Sequence, residues 1–371
     1  MKKTVALTHA CIYLNTLYNG GIERVMLNLA RTMTARGIEV DLVVNFVGYS
    51  PMWKEVPDSV RLVNLDAKGF TSRISKLVKY LKAESPQVIL SATHISNEVA
   101  ALAGFVSKTG VRVVVSEHTS LSTELNGLPA TSKRRLGIPI LGKIAYRFAH
   151  SVVGVSEGVR KDAEKLFSLP RGKSRTIYNP IEPERILAQA AEPLDHPWFQ
   201  AGSKPVVLGI GRLEKQKDFF NLLEAFYQVR KKVDARLVIL GEGSERQALE
   251  ARIQKLELEN DVWLAGFVAN PFPYFKRASV FALSSAWEGL PTALIEALIL
   301  GVPIVSTNCP SGPFEILEGG KYGTLVPVGD SHALARGIEE ALSGHNPAIP
   351  KEAFLRYSVD AVLDQYLETM V

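Results

Sequence analysis

Short apolar, β-branched runs alternate with segments of helical period along most of the 371-residue chain. In the first half the runs are TVAL, EVDLVV, VRLVNL, QVILS, VRVVVS and SVVGV. From Val206 a second series follows: PVVLGIG, RLVILG, DVWLAG, SVFALS, VPIVST and YGTLVPV. Consecutive apolar positions suit strands covered on both faces, and the helical patterns between them, such as 218–231 and 245–256, suit crossovers. Each series therefore predicts a parallel, doubly wound α/β sheet. TVAL reads as the first buried strand. Between the series, NPIEPERILAQAAEPLDHPWFQAGSKP holds five prolines from Pro180 to Pro205 and no strand pattern, which predicts a linker. The expected organisation is a first domain over 1–180, a linker over 181–204, a second domain over 205–350, and a C-terminal segment, 351–371, whose helical pattern over 353–370 suits packing back on the first domain.

Composition narrows the class. With 46% hydrophobic and 22% charged residues the chain should fold throughout. Two cysteines, Cys11 and Cys309, are too few for a disulfide framework or a four-thiolate zinc site, which fits a reducing compartment such as the cytoplasm. No uncharged apolar run reaches the roughly 18 residues of a spanning helix, and the N-terminal apolar stretch is broken too early for a signal core. The net charge of +5 conceals an asymmetry: residues 1–180 carry +12 and the remainder −7. A basic first half suits a phosphorylated substrate or an anionic lipid surface. It holds no Arg-rich run, stacking motif or finger spacing, so nucleic acid is not an expected partner.

Ligands of open α/β sheets bind beyond the carboxyl ends of the strands, so the loops there carry the candidate chemistry. The first holds Asn19, Gly20 and Gly21 before a helix, an arrangement that lets a ligand approach the backbone and offers helix-start N–H groups to an anion, or else simply makes a tight turn. After PVVLGIG, Arg212 and Lys217 lie five apart, a spacing with which both can reach a diphosphate; the plainer reading pairs them with Glu214 and Asp218. In SSAWEGLPTALIEALILGVPIVST, Glu288 follows a strand, Gly289 and Pro291 shape a turn, a helix starts near Thr292, and Glu296 lies within its first turns. Carboxylates beside Ala297, Leu298 and Leu300 are costly without hydrogen-bond partners, and sugar or ribose hydroxyls would supply them. The alternative is a capping acid and an exposed helix acid.

The double-glycine loop, GRLEKQKDF, LGEGSER, LAGF, the YNP step at Tyr178 to Pro180, and above all EGLPTALIE followed by GVPIVSTNCPSGPFEIL and YGTLVPVGD resemble family 4 of the retaining glycosyltransferases. The resemblance covers essentially the whole chain and is strongest to bacterial members that build surface polysaccharides and lipopolysaccharide cores. It implies GT-B architecture, two Rossmann-like domains facing each other across a cleft. It further implies that Arg212 and Lys217 bind the donor diphosphate, Glu296 holds the ribose and Glu288 contacts the transferred sugar, with Gly289, Leu290, Pro291 and Thr292 presenting backbone amides. Gly20 and Gly21 would close over the diphosphate, Gly266 and Phe267 would border the base, and His118 would lie near the sugar and acceptor. Glu117 and His94 are alternatives to His118, and Glu315 would support the donor loop.

The activity so implied is retaining hexosyl transfer from a nucleotide diphosphate sugar, UDP-linked by expectation, to a glycan or lipid-linked glycan. His118, Glu288, Arg212 and Lys217 would be catalytic. No cofactor and no metal are expected: fixed cations replace the metal at the leaving group, and no Asp-x-Asp motif occurs. An epimerase or phosphorylase of the same architecture, or a non-catalytic nucleotide-sugar sensor, is the rival reading. Two basic amphipathic segments, TSRISKLVKYLK and SKRRLGIPILGKIAYRF, are candidates for peripheral attachment to an anionic membrane surface; for the first, the competing reading is an ordinary crossover helix.

Overall fold

The structure, a computed structural model, describes residues 6–18, 20–47 and 51–371. It divides into two compact units, Met1–Ile181 with Tyr357–Val371, and Glu182–Arg356.

The first unit is a parallel sheet of β1 (His9–Thr16), β2 (Glu39–Phe46), β3 (Val60–Asn64), β4 (Val88–Ala92), β5 (Arg112–Glu117), β6 (Ser151–Gly154) and β7 (Ser174–Thr176), ordered β3-β2-β1-β4-β5-β6-β7. The order reverses between β1 and β4, the switch point of a doubly wound fold. The opening strand is HACIYLNT rather than TVAL. Thr4 and Val5 lie outside the described residues, and Ala6 and Leu7 precede the ladder. β1 is central, paired with β2 and β4, so both its faces must be apolar, and Ala10 to Leu14 are all buried. β7, a polar three-residue edge strand, carries no apolar run and escapes pattern reading.

The helical pattern at 353–370 is two helices, Glu352–Leu355 and Val359–Met370. They separate because the chain between them bonds to Ile181, whose N–H donates to the Tyr357 carbonyl at 2.8 Å and whose carbonyl accepts from Val359 at 3.1 Å. Only the second belongs to the first unit, where Val362, Leu363, Tyr366 and Met370 join the core beside the helix Gly21–Ala35.

The second unit holds β8 (Val206–Ile210), β9 (Arg236–Leu240), β10 (Val262–Gly266), β11 (Val280–Leu283), β12 (Ile304–Thr307) and β13 (Thr324–Val326), parallel in the order β10-β9-β8-β11-β12-β13. All six predicted runs form strands, and the switch point falls between β8 and β11. The stretch read as a linker is folded into this unit. Pro183, Ile186 and Ala190, spaced three and four apart, are the buried stripe of the helix Pro183–Ala190. The His196 ring then stacks on Trp263 of edge strand β10 at 4.1 Å.

The two basic amphipathic segments have opposite fates. The helix Phe70–Glu84 buries Leu77 and Leu81 completely, and Lys76 donates to the backbone carbonyls of Leu65 and Asp66. It is a crossover helix, and its expected role at a membrane is not supported. The helix Lys133–Ala145 instead buries only Gly142 and Ala145. Among the described residues no helix is long and apolar enough to cross a membrane.

Candidate donor and acceptor sites

In the second unit, the loops after β8 and β11 meet because those strands are neighbours at the switch point. Ser284 Oγ donates to the Lys217 carbonyl at 2.7 Å, the Ala286 N–H donates to the Gln216 carbonyl at 2.8 Å, and Gln216 Nε2 donates to the Trp287 carbonyl at 3.0 Å. This lacing brings Lys217 Nζ to 2.6 Å from Glu288 Oε1. Both side chains are largely withdrawn from water, so the charges depend on each other. Ser285 Oγ donates to the same carboxylate oxygen at 2.7 Å, and Thr307 Oγ1 of β12 donates to the Ser285 carbonyl at 2.6 Å. Sequence reasoning missed these two props; the Ser-x-x-Glu spacing of 285 and 288 was their only local signal.

The plainer pairing of the basic loop with its own acids does not form. Glu214 accepts from Ser244, and Asp218 caps the following helix by accepting from the Asn221 N–H at 3.3 Å. Arg212 is exposed, and among the described residues it has no ion-pair partner. Gly289, Leu290 and Pro291 are buried, and the helix Thr292–Leu300 begins without a side-chain cap, leaving first-turn N–H groups for a ligand. Glu296 is half-buried in its second turn. Gly312, at φ 95°, lies against this loop, where a Cβ would come within 2.4 Å of Pro291 Cδ. Glu315 stands in a short helix, its carbonyl accepting from Arg356 Nη2 at 2.6 Å. Gly266 ends β10 at φ 80°, and the next residue, Phe267, is 64% exposed.

In the first unit, Gly20 precedes the helix Gly21–Ala35, again without a side-chain cap; Asn19 lies outside the described residues. A Cβ on Gly21 would meet nothing within 4 Å, whereas one on Gly20 would come within 2.4 Å of Glu23 Oε2, so a first-turn carboxylate stands beside this helix start. His118 follows β5, with Nε2 3.1 Å from Ser116 Oγ, itself 3.4 Å from the Tyr366 hydroxyl. Burial pushes its pKa down to about 3, so the ring is neutral at physiological pH and can offer or accept one hydrogen bond per nitrogen. Glu117 turns away from that role. It is buried, accepting from Tyr146 and, at 3.0 Å, from Asn97 Nδ2, and burial raises its pKa to about 7. His94 begins the helix after β4, its Nε2 buried without a partner.

Beside Glu117, Glu98 is buried with Oε1 unpartnered, and burial, with the Glu117 charge adding, raises its pKa from 4.5 to about 8. Above pH 4.5 the unfolded chain releases this proton while the folded chain retains it, so stability falls from pH 4.5 towards 8. Glu98→Gln should therefore raise the melting temperature by about 3 °C or more at pH 8 and by little at pH 4.5, since about 1 kcal/mol moves a domain of this size by a few degrees. An equal shift at both pH values in thermal melts would contradict the assignment.

His9, Glu39 and Asp41 form the one cluster of potential metal-ligating side chains among the described residues. Asp41 already accepts from Arg61, Tyr80 and His9, and the cluster sits at the amino ends of β1 and β2, away from the ligand-binding edge.

Comparison with known proteins identifies the family and the fold. The model for Glycosyltransferase Family 4 matches residues 19–185, and that for Glycosyl transferases group 1 matches residues 194–353. An uncharacterised glycosyltransferase of Methanocaldococcus jannaschii is 36% identical over 199 residues, 50% of this chain and 49% of that protein. The N-acetylgalactosamine-N,N'-diacetylbacillosaminyl-diphospho-undecaprenol 4-alpha-N-acetylgalactosaminyltransferase of Campylobacter jejuni is 29% identical over 347 residues, 89% of each chain. In fold, the chain is similar to Anabaena Alr3699/HepE solved in complex with UDP, with a TM-score of 0.80, 20% identity, and coverage of 98% and 99% of the two chains. Two parallel Rossmann-like sheets, each with a switch point, and a family match to each half place this chain among the family 4 glycosyltransferases of GT-B architecture.

Proposed function

We propose that the enzyme transfers a hexose with retention from a UDP-sugar to a glycan or lipid-linked glycan of a surface polysaccharide or lipopolysaccharide, working at the cytoplasmic face of the membrane. The observation that carries this reading is the Lys217–Glu288 pair at the second unit's switch point, a fixed cation and a buried carboxylate on one ligand-facing edge. The UDP bound by the Anabaena relative and the undecaprenol-linked acceptor in the name of the Campylobacter one support the donor and acceptor classes.

Cleavage of the sugar–diphosphate bond puts negative charge on the leaving phosphate. Arg212, Lys217 and the uncapped start of the helix Thr292–Leu300 are arranged to stabilise it. Lys217 then lies between Glu288 and the phosphate, so Glu288 turns its remaining acceptor capacity to sugar hydroxyls. Glu296 holds the ribose, and Gly266 and Phe267 border the base. Gly20 and Gly21 let the diphosphate approach the backbone at the helix start of the first unit once Glu23 turns aside, and neutral His118 hydrogen-bonds sugar or acceptor. Retention follows from attack on the face that the leaving group vacates, its phosphate oxygen taking the acceptor proton.

Because fixed cations neutralise the leaving group, the reaction should need no divalent ion. Incubation with a panel of UDP- and GDP-sugars, with and without a lipid-linked acceptor, tests the whole reading. A transferase consumes one donor rapidly only when acceptor is present, an epimerase converts it without acceptor, and a sensor leaves it unchanged. Activity should persist in EDTA; full loss restored by magnesium or manganese would refute metal independence.

A further inference from the structure

The helix Lys133–Ala145 presents Leu136, Ile140 and Ile144 at successive four-residue steps, and they are 69%, 61% and 49% exposed. This is one continuous row on the helix surface. Phe148, one step further, extends it, and its ring stacks at 4.1 Å on Phe105, itself 60% exposed. The row therefore runs from one helix onto the end of another, and the described residues of the first unit leave it uncovered. Lys133, Arg134 and Lys143 stand on the same helix, and Arg147 follows it.

Where the row passes Ile144, a cavity opens beside it. Lys143, Arg147 and Lys173 line this cavity together with the apolar bodies of Tyr146, Phe167 and Leu169. Lys173 Nζ donates to the Arg147 carbonyl at 2.8 Å, which fixes its position. Among the described residues none of these three cations forms an ion pair with a carboxylate. Three cations without carboxylate partners, sharing a cavity with apolar side chains next to an exposed apolar row, match an amphipathic ligand with an anionic phosphoryl head and a hydrocarbon body.

We propose that this surface docks the first unit onto an anionic phospholipid bilayer, with Leu136, Ile140 and Ile144 entering the acyl boundary and Lys143, Arg147 and Lys173 surrounding a lipid phosphate. It deepens the reading of a membrane-borne acceptor and rests on it for its purpose, yet it is tested without turnover. A water-exposed row of this kind loses apolar area to the bilayer, and each nearby cation adds attraction to anionic lipid. The docking element is this helix alone; the equally basic Phe70–Glu84 helix has its apolar side in the core.

The experiment is co-sedimentation of the full chain with phosphatidylcholine vesicles and with equimolar phosphatidylcholine–phosphatidylglycerol vesicles of the same size. Binding should favour the anionic vesicles roughly tenfold or more and be released by about 0.5 M salt. Leu136→Ser with Ile140→Ser, and separately Lys143→Glu with Arg147→Glu, should each weaken binding roughly tenfold or more, while Lys76→Glu with Lys79→Glu leaves it unchanged. All of these residues are exposed, and an unaltered melting temperature and UDP affinity show that each variant is folded. Equal binding to both vesicle types, no binding at low salt, or full binding by the docking-helix variants would overturn the proposal. So would a wild-type dimer in sedimentation velocity that Leu136→Ser with Ile140→Ser dissociates, because a second copy would then be the occupant. If vesicle binding holds while no sugar donor is consumed, the docking surface stands and the transferase reading fails.

Discussion

Lys217→Ala is expected to unsettle the second domain and abolish productive donor binding together, whereas Arg212→Ala should affect binding alone. Lys217 Nζ lies 2.6 Å from a Glu288 oxygen that is nearly out of water. Its removal leaves a buried carboxylate with only the Ser285 hydroxyl to answer it, a change that typically costs about 3 kcal/mol or more. Loss of the proposed charge-assisted bond to the donor diphosphate should add a binding penalty of about 1.5 to 3 kcal/mol. The double variant Lys217→Ala with Glu288→Gln separates the two: neutralising the stranded acid should restore most of the stability but none of the affinity for UDP. Chemical denaturation and calorimetric titration check each half. Should the double variant be as unstable as Lys217→Ala, the ion pair is not what the domain depends on.

Gly241→Ala should be nearly as damaging, acting through the backbone. Gly241 directly follows β9 at φ 143°, outside the range of ordinary side chains, and an added Cβ would fall 1.9 Å from the Gly211 carbonyl oxygen. That neighbour is backbone and cannot rotate away. Gly211 donates to the Leu240 carbonyl at 3.0 Å, and Gly241 donates to the Gly266 carbonyl at 2.8 Å, so the ends of β8, β9 and β10 are tied at this point. Overpacking plus a strained dihedral should cost about 3 to 5 kcal/mol and swing the loop that carries Arg212. Melting temperature and UDP affinity should fall together. Gly21→Ala, with nothing within 4 Å of its Cβ, is the control and should leave stability unchanged. A Gly241→Ala protein with wild-type stability would mean that the three strand ends are not so tied.

The six strands of the second domain were legible because a parallel strand under helices on both faces must be apolar at consecutive positions, and such runs stand out. β1 was misplaced and β7 missed where that rule weakens. HACIYLNT opens on a histidine and ends in polar residues, and SRT is a bare edge. The supposed linker read as irregular because its prolines masked a three-and-four spacing that buries Ile186 and Ala190.

The candidate site was legible in its parts, since GRLEKQKDF and EGLPTALIE each fall directly after a strand. Its wiring was not. Lys217 pairs with an acid 71 residues away instead of Glu214 or Asp218 nearby, because β8 and β11 adjoin at the switch point. The sequence put His118 forward, with Glu117 able to share its role; only the fold shows that Glu117 is enclosed with Asn97 and Tyr146 while His118 lies beside Ser116. Likewise, two segments with the same basic amphipathic pattern diverge, one burying its apolar stripe in the core and the other exposing it to water. Sequence by itself determined the two α/β domains, the loops that hold the chemistry and the charge asymmetry, because these depend on local periodicity and composition. Which charges meet, which carboxylate is enclosed and which amphipathic helix stays uncovered depend on strand order and helix docking. Those are relations between distant segments, and only the tertiary structure decides them.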